Sequence, residues 1–126
     1  MASAWADLGF ASRIEEGGWQ RREVRLETQD RWRRETRDEL VYVRRRDGEL
    51  QAVTAVCPHS GCLVKPDAAG FVCPCHRSLF DQDGRPLHGP SPRPLDRLEL
   101  KLERGRALVR YRRFRPGSPK SEPLDA

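Results

Sequence analysis

The sequence predicts an all-β fold, a small antiparallel β-sandwich or barrel. Two observations carry that expectation. Apolar residues alternate with charged ones at a period of two, in Leu98, Leu100 and Leu102 and again in Ala107, Val109 and Tyr111. Turn signals break the chain into short pieces at Gly17-Gly18, Asp47-Gly48, Asp67 to Gly70, Asp83-Gly84 and Gly105. At 126 residues the chain is expected to form one domain, with a small core that a cofactor or cross-link would help to hold.

Taken in order, residues 1–18 read as an N-terminal linker or short helix. Trp5, Leu8 and Phe10 supply apolar contacts, and Ser12 with Glu15 has capping-box spacing. Trp19 to Glu27 reads as a strand with Val24 and Leu26 on one face. Leu40-Val41-Tyr42-Val43 is a short buried strand. Asp47-Gly48, a strong two-residue hairpin signal, returns it along Leu50 to Val56. Phe71-Val72 follows the turn at Asp67 to Gly70. Gly89-Pro90-Ser91-Pro92-Arg93-Pro94 cannot join a sheet interior, because proline donates no ladder hydrogen bond, so a stiff loop is expected. The strands around Leu98–Leu102 and Ala107–Tyr111 then pair about Gly105. Residues 115–126, rich in Pro, Gly, Ser and charge, read as a flexible tail, which leaves 19–114 as the domain proper.

The net charge is +5, and Arg outnumbers Lys twenty-one to three. The basic residues are interspersed with acidic ones, as in Arg21-Arg22-Glu23 and Arg33-Arg34-Glu35, which is the pattern of solvated strand faces, so no nucleic-acid partner is expected. Arg44-Arg45-Arg46 reads as the end of a strand, with docking of an acidic partner as the alternative. No run of 18 apolar residues exists, and no basic segment followed by an apolar stretch opens the chain, so membrane contact is expected only through partners or an anchor missing from this sequence.

All four cysteines and two of the three histidines fall in two boxes, Cys57-Pro58-His59-Ser60-Gly61-Cys62 and Cys73-Pro74-Cys75-His76-Arg77-Ser78. Thiolate and neutral imidazole are both good ligands for iron or zinc. A set of two Cys and two His leaves one cysteine per box over, and a disulfide between those two would staple the loops. A structural zinc site would also accept two Cys and two His, although paired Cys-x-x-Cys knuckles are its usual form. Two disulfides without metal would leave both histidines without a task. His88 stands apart and is expected to be ordinary surface.

Together the boxes resemble those of the Rieske iron–sulfur proteins, in the disulfide-bearing subclass of cytochrome bc-type quinol-oxidising complexes. The similarity extends from Trp19 to Phe114, with residues 57–94 as the cluster-binding part: two loops and a proline loop. The resemblance implies one [2Fe–2S] cluster per chain, with two His replacing Cys on one iron. It assigns Cys57 and Cys73 to one iron, His59 and His76 to the other, and Cys62 with Cys75 to the disulfide. Ser78 matches a hydroxyl that bonds a bridging sulfide, and Gly89-Pro90-Ser91-Pro92 matches the loop over the cluster's third side.

The function so implied is one-electron transfer. The protein would accept an electron, coupled to a proton, from quinol held against His76, with cytochrome b as neighbour and a cytochrome c-type acceptor. No nucleophile–base pair is present, so stand-alone catalysis is not expected. Two other uses of the family stay open: a soluble Rieske ferredoxin serving an oxygenase, which normally lacks the disulfide cysteines, and the small Rieske subunit of a molybdenum oxidase such as arsenite oxidase. A disulfide favours the periplasmic face of a bacterial membrane over the cytoplasm.

The departures from the family pattern are informative. Arg77 stands where Gly is usual and Ser60 where Leu is frequent. The hairpin between the boxes is a few residues shorter, and the family's N-terminal membrane helix is not part of this sequence. Phe80 stands where high-potential members have a Tyr whose hydroxyl bonds a ligand sulfur. Losing a bond worth roughly 1–2 kcal/mol to the reduced form lowers a one-electron potential by about 40–90 mV, which suits menaquinol.

Overall fold

The computed structural model describes residues 4–30, 32–59, 62–75 and 77–124, with backbone only at 4 and 28–30. Ten strands follow one another: β1 Ala4–Phe10, β2 Gln20–Asp30, β3 Arg33–Arg46, β4 Glu49–Thr54, β5 Lys65–Pro66, β6 Phe71–Cys73, β7 Ser78–Phe80, β8 Pro86–His88, β9 Arg97–Glu103 and β10 Arg106–Tyr111. They form two antiparallel sheets. The larger runs β1-β10-β9-β4-β3-β2, and its end strands β1 and β2 lie side by side, so that the sheet is a nearly closed barrel. The smaller runs β5-β6-β7-β8 and carries both Cys/His boxes at its loops.

The period-two pattern decides what each sheet buries. Val24 and Leu26 of β2, Val41 and Val43 of β3, Ala52 of β4, Leu98 of β9, and Ala107, Val109 and Tyr111 of β10 fill the barrel. The alternate residues Tyr42 and Val53 point outward from the same wall, where they meet Val64, Phe71, Phe80 and Leu95 of the small sheet and its loops. β3 and β4 are thus buried on both faces near the site. That is why Leu40 to Val43 reads as an unbroken apolar run.

Two hairpin turns follow from local chemistry. Asp47 (φ 51°) and Gly48 (φ 82°) join β3 to β4, and Arg104 (φ 52°) and Gly105 (φ 79°) join β9 to β10; both central residues are left-handed, as a tight turn matched to strand twist requires. The Glu16 carboxylate closes the first turn by accepting from the amides of Asp47 (3.2 Å) and Gly48 (2.7 Å).

The structure departs from the sequence expectations in four places. The segment read as a linker or short helix holds β1, paired with β10 through a bulge between Asp7 and Gly9; only Ala11–Arg13 forms a single 3-10 turn, without a side-chain cap from Ser12. Its inward position is the small Ala6, 2% exposed, which gives little hydrophobic signal until an edge strand offers a partner. β3 extends far beyond Leu40–Val43, because charged residues pair across the β2–β3 ribbon; Arg25 lies opposite Asp38, with Nε donating to its Oδ1 at 3.1 Å. The short strands β5, β7 and β8 have no periodic signature of their own. The tail read as flexible doubles back on the domain: the Arg115 amide donates to the Glu122 carbonyl (2.9 Å) and the Leu124 amide to the Arg113 carbonyl (2.8 Å).

Candidate metal centre

The first box is a closed loop at the end of β4. A narrow ladder leads into it: the Val64 amide donates to the Ala55 carbonyl (2.8 Å), Val56 bridges Leu63, and the Cys57 amide donates to the Cys62 carbonyl (2.6 Å). Cys57 is fully buried, Pro58 is buried, and His59 is half-buried with its Nδ1 shielded from solvent. The second box is the β6–β7 hairpin loop. Cys73 pairs with Ser78, and the Arg77 amide donates back to the Cys73 carbonyl at 2.9 Å. This tight closure puts Arg77 in the left-handed region (φ 58°), a conformation that costs a non-glycine residue about 1–2 kcal/mol.

A disulfide joins the two loops. Cys62 and Cys75 are bonded, with Cα atoms 6.4 Å apart across a sequence separation of 13. Cys57 and Cys73 are the two thiols outside that bridge. Both are 0% exposed and share one apolar cluster with Phe71, Phe80, Val64 and Leu95. His76, and with it Ser60 and Gly61, lies outside the described residues.

The third wall is the proline loop. Gly89 (φ 100°) presses its backbone on Ser78, so closely that a Cβ there would sit 2.6 Å from the Ser78 Cα. The loop's far end is fixed by Arg93, whose Nε and Nη2 donate to Asp96 at 2.8 Å each, while the Ser91 hydroxyl donates to the Arg93 carbonyl at 2.9 Å. His88 is exposed on β8, as ordinary surface would be.

The donor set fits an iron–sulfur cluster. The Ser78 hydroxyl is completely buried and has no hydrogen-bond partner among the described residues. Leaving such a donor unsatisfied costs about 1–3 kcal/mol, so its persistence beside two buried thiols suits a site that offers it a sulfur acceptor. Phe80, fully buried behind the thiols, carries no hydroxyl to make a second bond of that kind.

The small sheet is held to the barrel by the first residue of the Arg44-Arg45-Arg46 run. Arg44 is 3% exposed. Its guanidinium stacks on Trp19 at 4.3 Å and donates to Gln51 (2.8 Å), the Gln82 carbonyl (2.7 Å) and Asp83 (2.8 Å). Trp19 Nε1 donates to the same Gln82 carbonyl, and Arg46 also reaches Asp83. The hydrogen bond from Arg44 holds the Asp83 carboxyl below its ordinary value, aided by the charge of Arg46. Extending the period-two face of Tyr42 by one step would have marked Arg44 as facing the small sheet. Nothing local marks Arg93.

Comparison with known proteins points the same way. A family model described as Rieske [2Fe-2S] domain matches residues 5–101. The chain is 43% identical over 74 residues to the cytochrome b6-f complex iron-sulfur subunit of Chlorobaculum tepidum, covering 57% of this chain and 41% of that protein. It is 34% identical over 95 residues to the menaquinol:cytochrome c reductase iron-sulfur subunit of Geobacillus thermodenitrificans, covering 69% of this chain and 56% of that one. The chain therefore spans about half the length of these two relatives or less. Among solved structures, the plasma membrane Rieske protein of the cyanobacterium Synechocystis PCC 6803 superposes with a TM-score of 0.54 at 25% identity, over 83% of this chain and 98% of that one.

Proposed function

This chain belongs to the Rieske [2Fe–2S] family, and from that premise we propose that it is the electron-transfer domain of a quinol-oxidising complex of the cytochrome bc type. Rieske domains bind a [2Fe–2S] cluster. Here Cys57 and Cys73 would hold one iron and His59 and His76 the other. The bound cluster supplies a one-electron store.

The chain's own residues supply the rest. Phe71, Phe80, Val64 and Leu95 keep water from the two cysteine sulfurs, and Ser78 offers its hydroxyl to a cluster sulfur. The shielded Nδ1 of His59 is the nitrogen that would face iron, which leaves Nε2 as the ring nitrogen able to carry a proton. We assign the quinol's hydrogen bond to His76. Cytochrome b and a cytochrome c-type acceptor are the partners in this reading.

The observation that carries the reading is the Cys62–Cys75 bridge across the two boxes. In the resemblance, that bridge marks the disulfide-bearing subclass, which separates quinol-oxidising complexes from ferredoxins and which the molybdenum-oxidase subunit shares. The names of the two relatives, subunits of a cytochrome b6-f complex and of a menaquinol:cytochrome c reductase, support it. A disulfide persists outside the reducing cytosol, so the periplasmic face is the proposed location. Among the described residues no helix is long and apolar enough to cross a membrane, and membrane contact in this reading runs through partners or an anchor outside this sequence. Phe80 favours menaquinol as donor, through a lowered potential.

The test is electron paramagnetic resonance of the dithionite-reduced protein, followed through a redox titration. A rhombic signal with average g below the free-electron value and a midpoint of roughly 0 to +250 mV supports the proposal. A midpoint near about −150 mV would move the assignment to a ferredoxin. One zinc per chain without a signal would overturn the cluster itself.

A further inference from the structure

We infer that residues 113–124 form a strap that holds the first ligand box from outside, and that Arg93 is the positioning residue that latches it. The inference rests on the assignment of Cys57 and His59 as ligands and extends it to residues that no ligand motif contains.

The strap has a defined shape of its own. Phe114 bridges Pro123, and the amides of Arg115 and Leu124 donate to the carbonyls of Glu122 and Arg113. An exposed Arg115–Glu122 ion pair at 3.3 Å lies along the same ladder. This closed loop meets the domain at three points. The Gly117 amide donates to the Pro58 carbonyl at 2.8 Å. Arg93 Nη1 donates to the carbonyls of Arg115 and Ser118, both at 2.8 Å. The Ser121 hydroxyl donates to Asp96 Oδ1 at 2.5 Å.

Pro58 is the residue between Cys57 and His59. It has no amide hydrogen, so its carbonyl is its one backbone group able to take a hydrogen bond. Fixing that carbonyl fixes the peptide plane that leads into His59. A contact 59 residues away in sequence, from Gly117 to Pro58, therefore sets how the two ligands of this box stand relative to each other.

The latch is specific for arginine. The Arg93 side chain is 2% exposed and its Asp96 partner 4%. A buried ion pair is tolerated only when its remaining donors are satisfied. The guanidinium fork meets that condition with two bonds to the carboxylate and two to strap carbonyls, a geometry that a lysine ammonium cannot reproduce. Strap residues Phe114, Pro116 and Leu124 line the same cleft of about 260 Å³ as Val56 and the buried Cys57, so the strap walls the cleft that reaches Cys57.

Three chains test this: the wild type, Arg93→Lys, and a deletion of residues 115–126. The deletion leaves the Arg93–Asp96 pair intact and guards against a point variant that fails to fold. On the reconstituted protein, trypsin should cut Lys120–Ser121 slowly in the wild type and roughly tenfold faster in Arg93→Lys. When a chelator then strips the cluster in the presence of iodoacetamide, with labelled peptides resolved by mass spectrometry, Cys57 should be modified about tenfold faster after the deletion, with Cys73 unchanged. On the reconstituted protein, the deletion should alter the g-anisotropy of the reduced signal. Equal cleavage of wild type and Arg93→Lys, equal change at Cys57 and Cys73, or an unaltered signal would overturn the strap. A wild-type chain that takes up no cluster overturns the ligand assignment instead, and the proteolysis and alkylation results then judge the strap alone.

Discussion

The close approach of the proline loop to Ser78 makes a sharp quantitative prediction. Replacing Gly89 by Ala adds a Cβ 2.6 Å from the Ser78 Cα, 3.0 Å from its Oγ and 3.1 Å from its amide nitrogen. Carbon–carbon contacts are comfortable at about 3.5–4.0 Å, so either the proline loop or β7 must move. Forcing extra volume into a packed site costs about 1–3 kcal/mol. The left-handed φ of 100° adds about 1–2 kcal/mol for a residue with a side chain. The sum, about 2–5 kcal/mol, is a large share of a total stability on the order of 10 kcal/mol. Gly105 separates the two causes. It has φ 79° and nothing within 4 Å of its would-be Cβ, so Gly105→Ala should cost only the backbone part. Urea unfolding of both variants, read as midpoint shifts at constant slope, measures the difference. If Gly89→Ala lies within about 0.5 kcal/mol of Gly105→Ala, the close approach of the proline loop to Ser78 is refuted.

Two further outcomes follow from the same geometry. Replacing Cys62 and Cys75 together by Ala should lower unfolding stability by about 3 kcal/mol, the entropy of a loop closed across a separation of 13 residues; a urea midpoint unchanged from the oxidised wild type would count against the bridge as a staple. The carboxyl of Asp83, held below its ordinary value of 3.8 by Arg44, stabilises the folded form above that value and loses its contribution as pH falls through its lower folded value. Asp83→Asn should therefore be less stable than wild type near neutrality, and the gap should close as pH falls through the carboxyl's lowered folded value. A gap that stays constant with pH would show that the Arg44–Asp83 contact does not hold the small sheet to the barrel.

Much of this protein was legible in its sequence because the deciding interactions are local. Period-two alternation places Ala107, Val109 and Tyr111 on one face whatever they later meet. Asp47-Gly48 makes its turn because glycine tolerates a positive φ at once. All four cysteines and two of the three histidines fall in two short boxes, a clustering that sequence proximity alone displays.

What only the tertiary structure decided depends on partners distant in sequence. Ala4–Phe10 became a strand because β10 offered an edge, a contact about a hundred residues away. Arg93 looks like any other arginine among twenty-one until the surfaces that bury it are assembled. The tail, poor in apolar residues, has the composition of a disordered segment; its order comes from backbone carbonyls meeting a buried guanidinium and from one amide meeting the carbonyl of Pro58. Composition measures how much apolar surface a segment can bury. It does not register a hydrogen-bonded anchor whose donor lies on another loop, and so the sequence displayed two boxes of Cys and His while the fold alone determined the contact that ties the tail to Pro58 in the first of them.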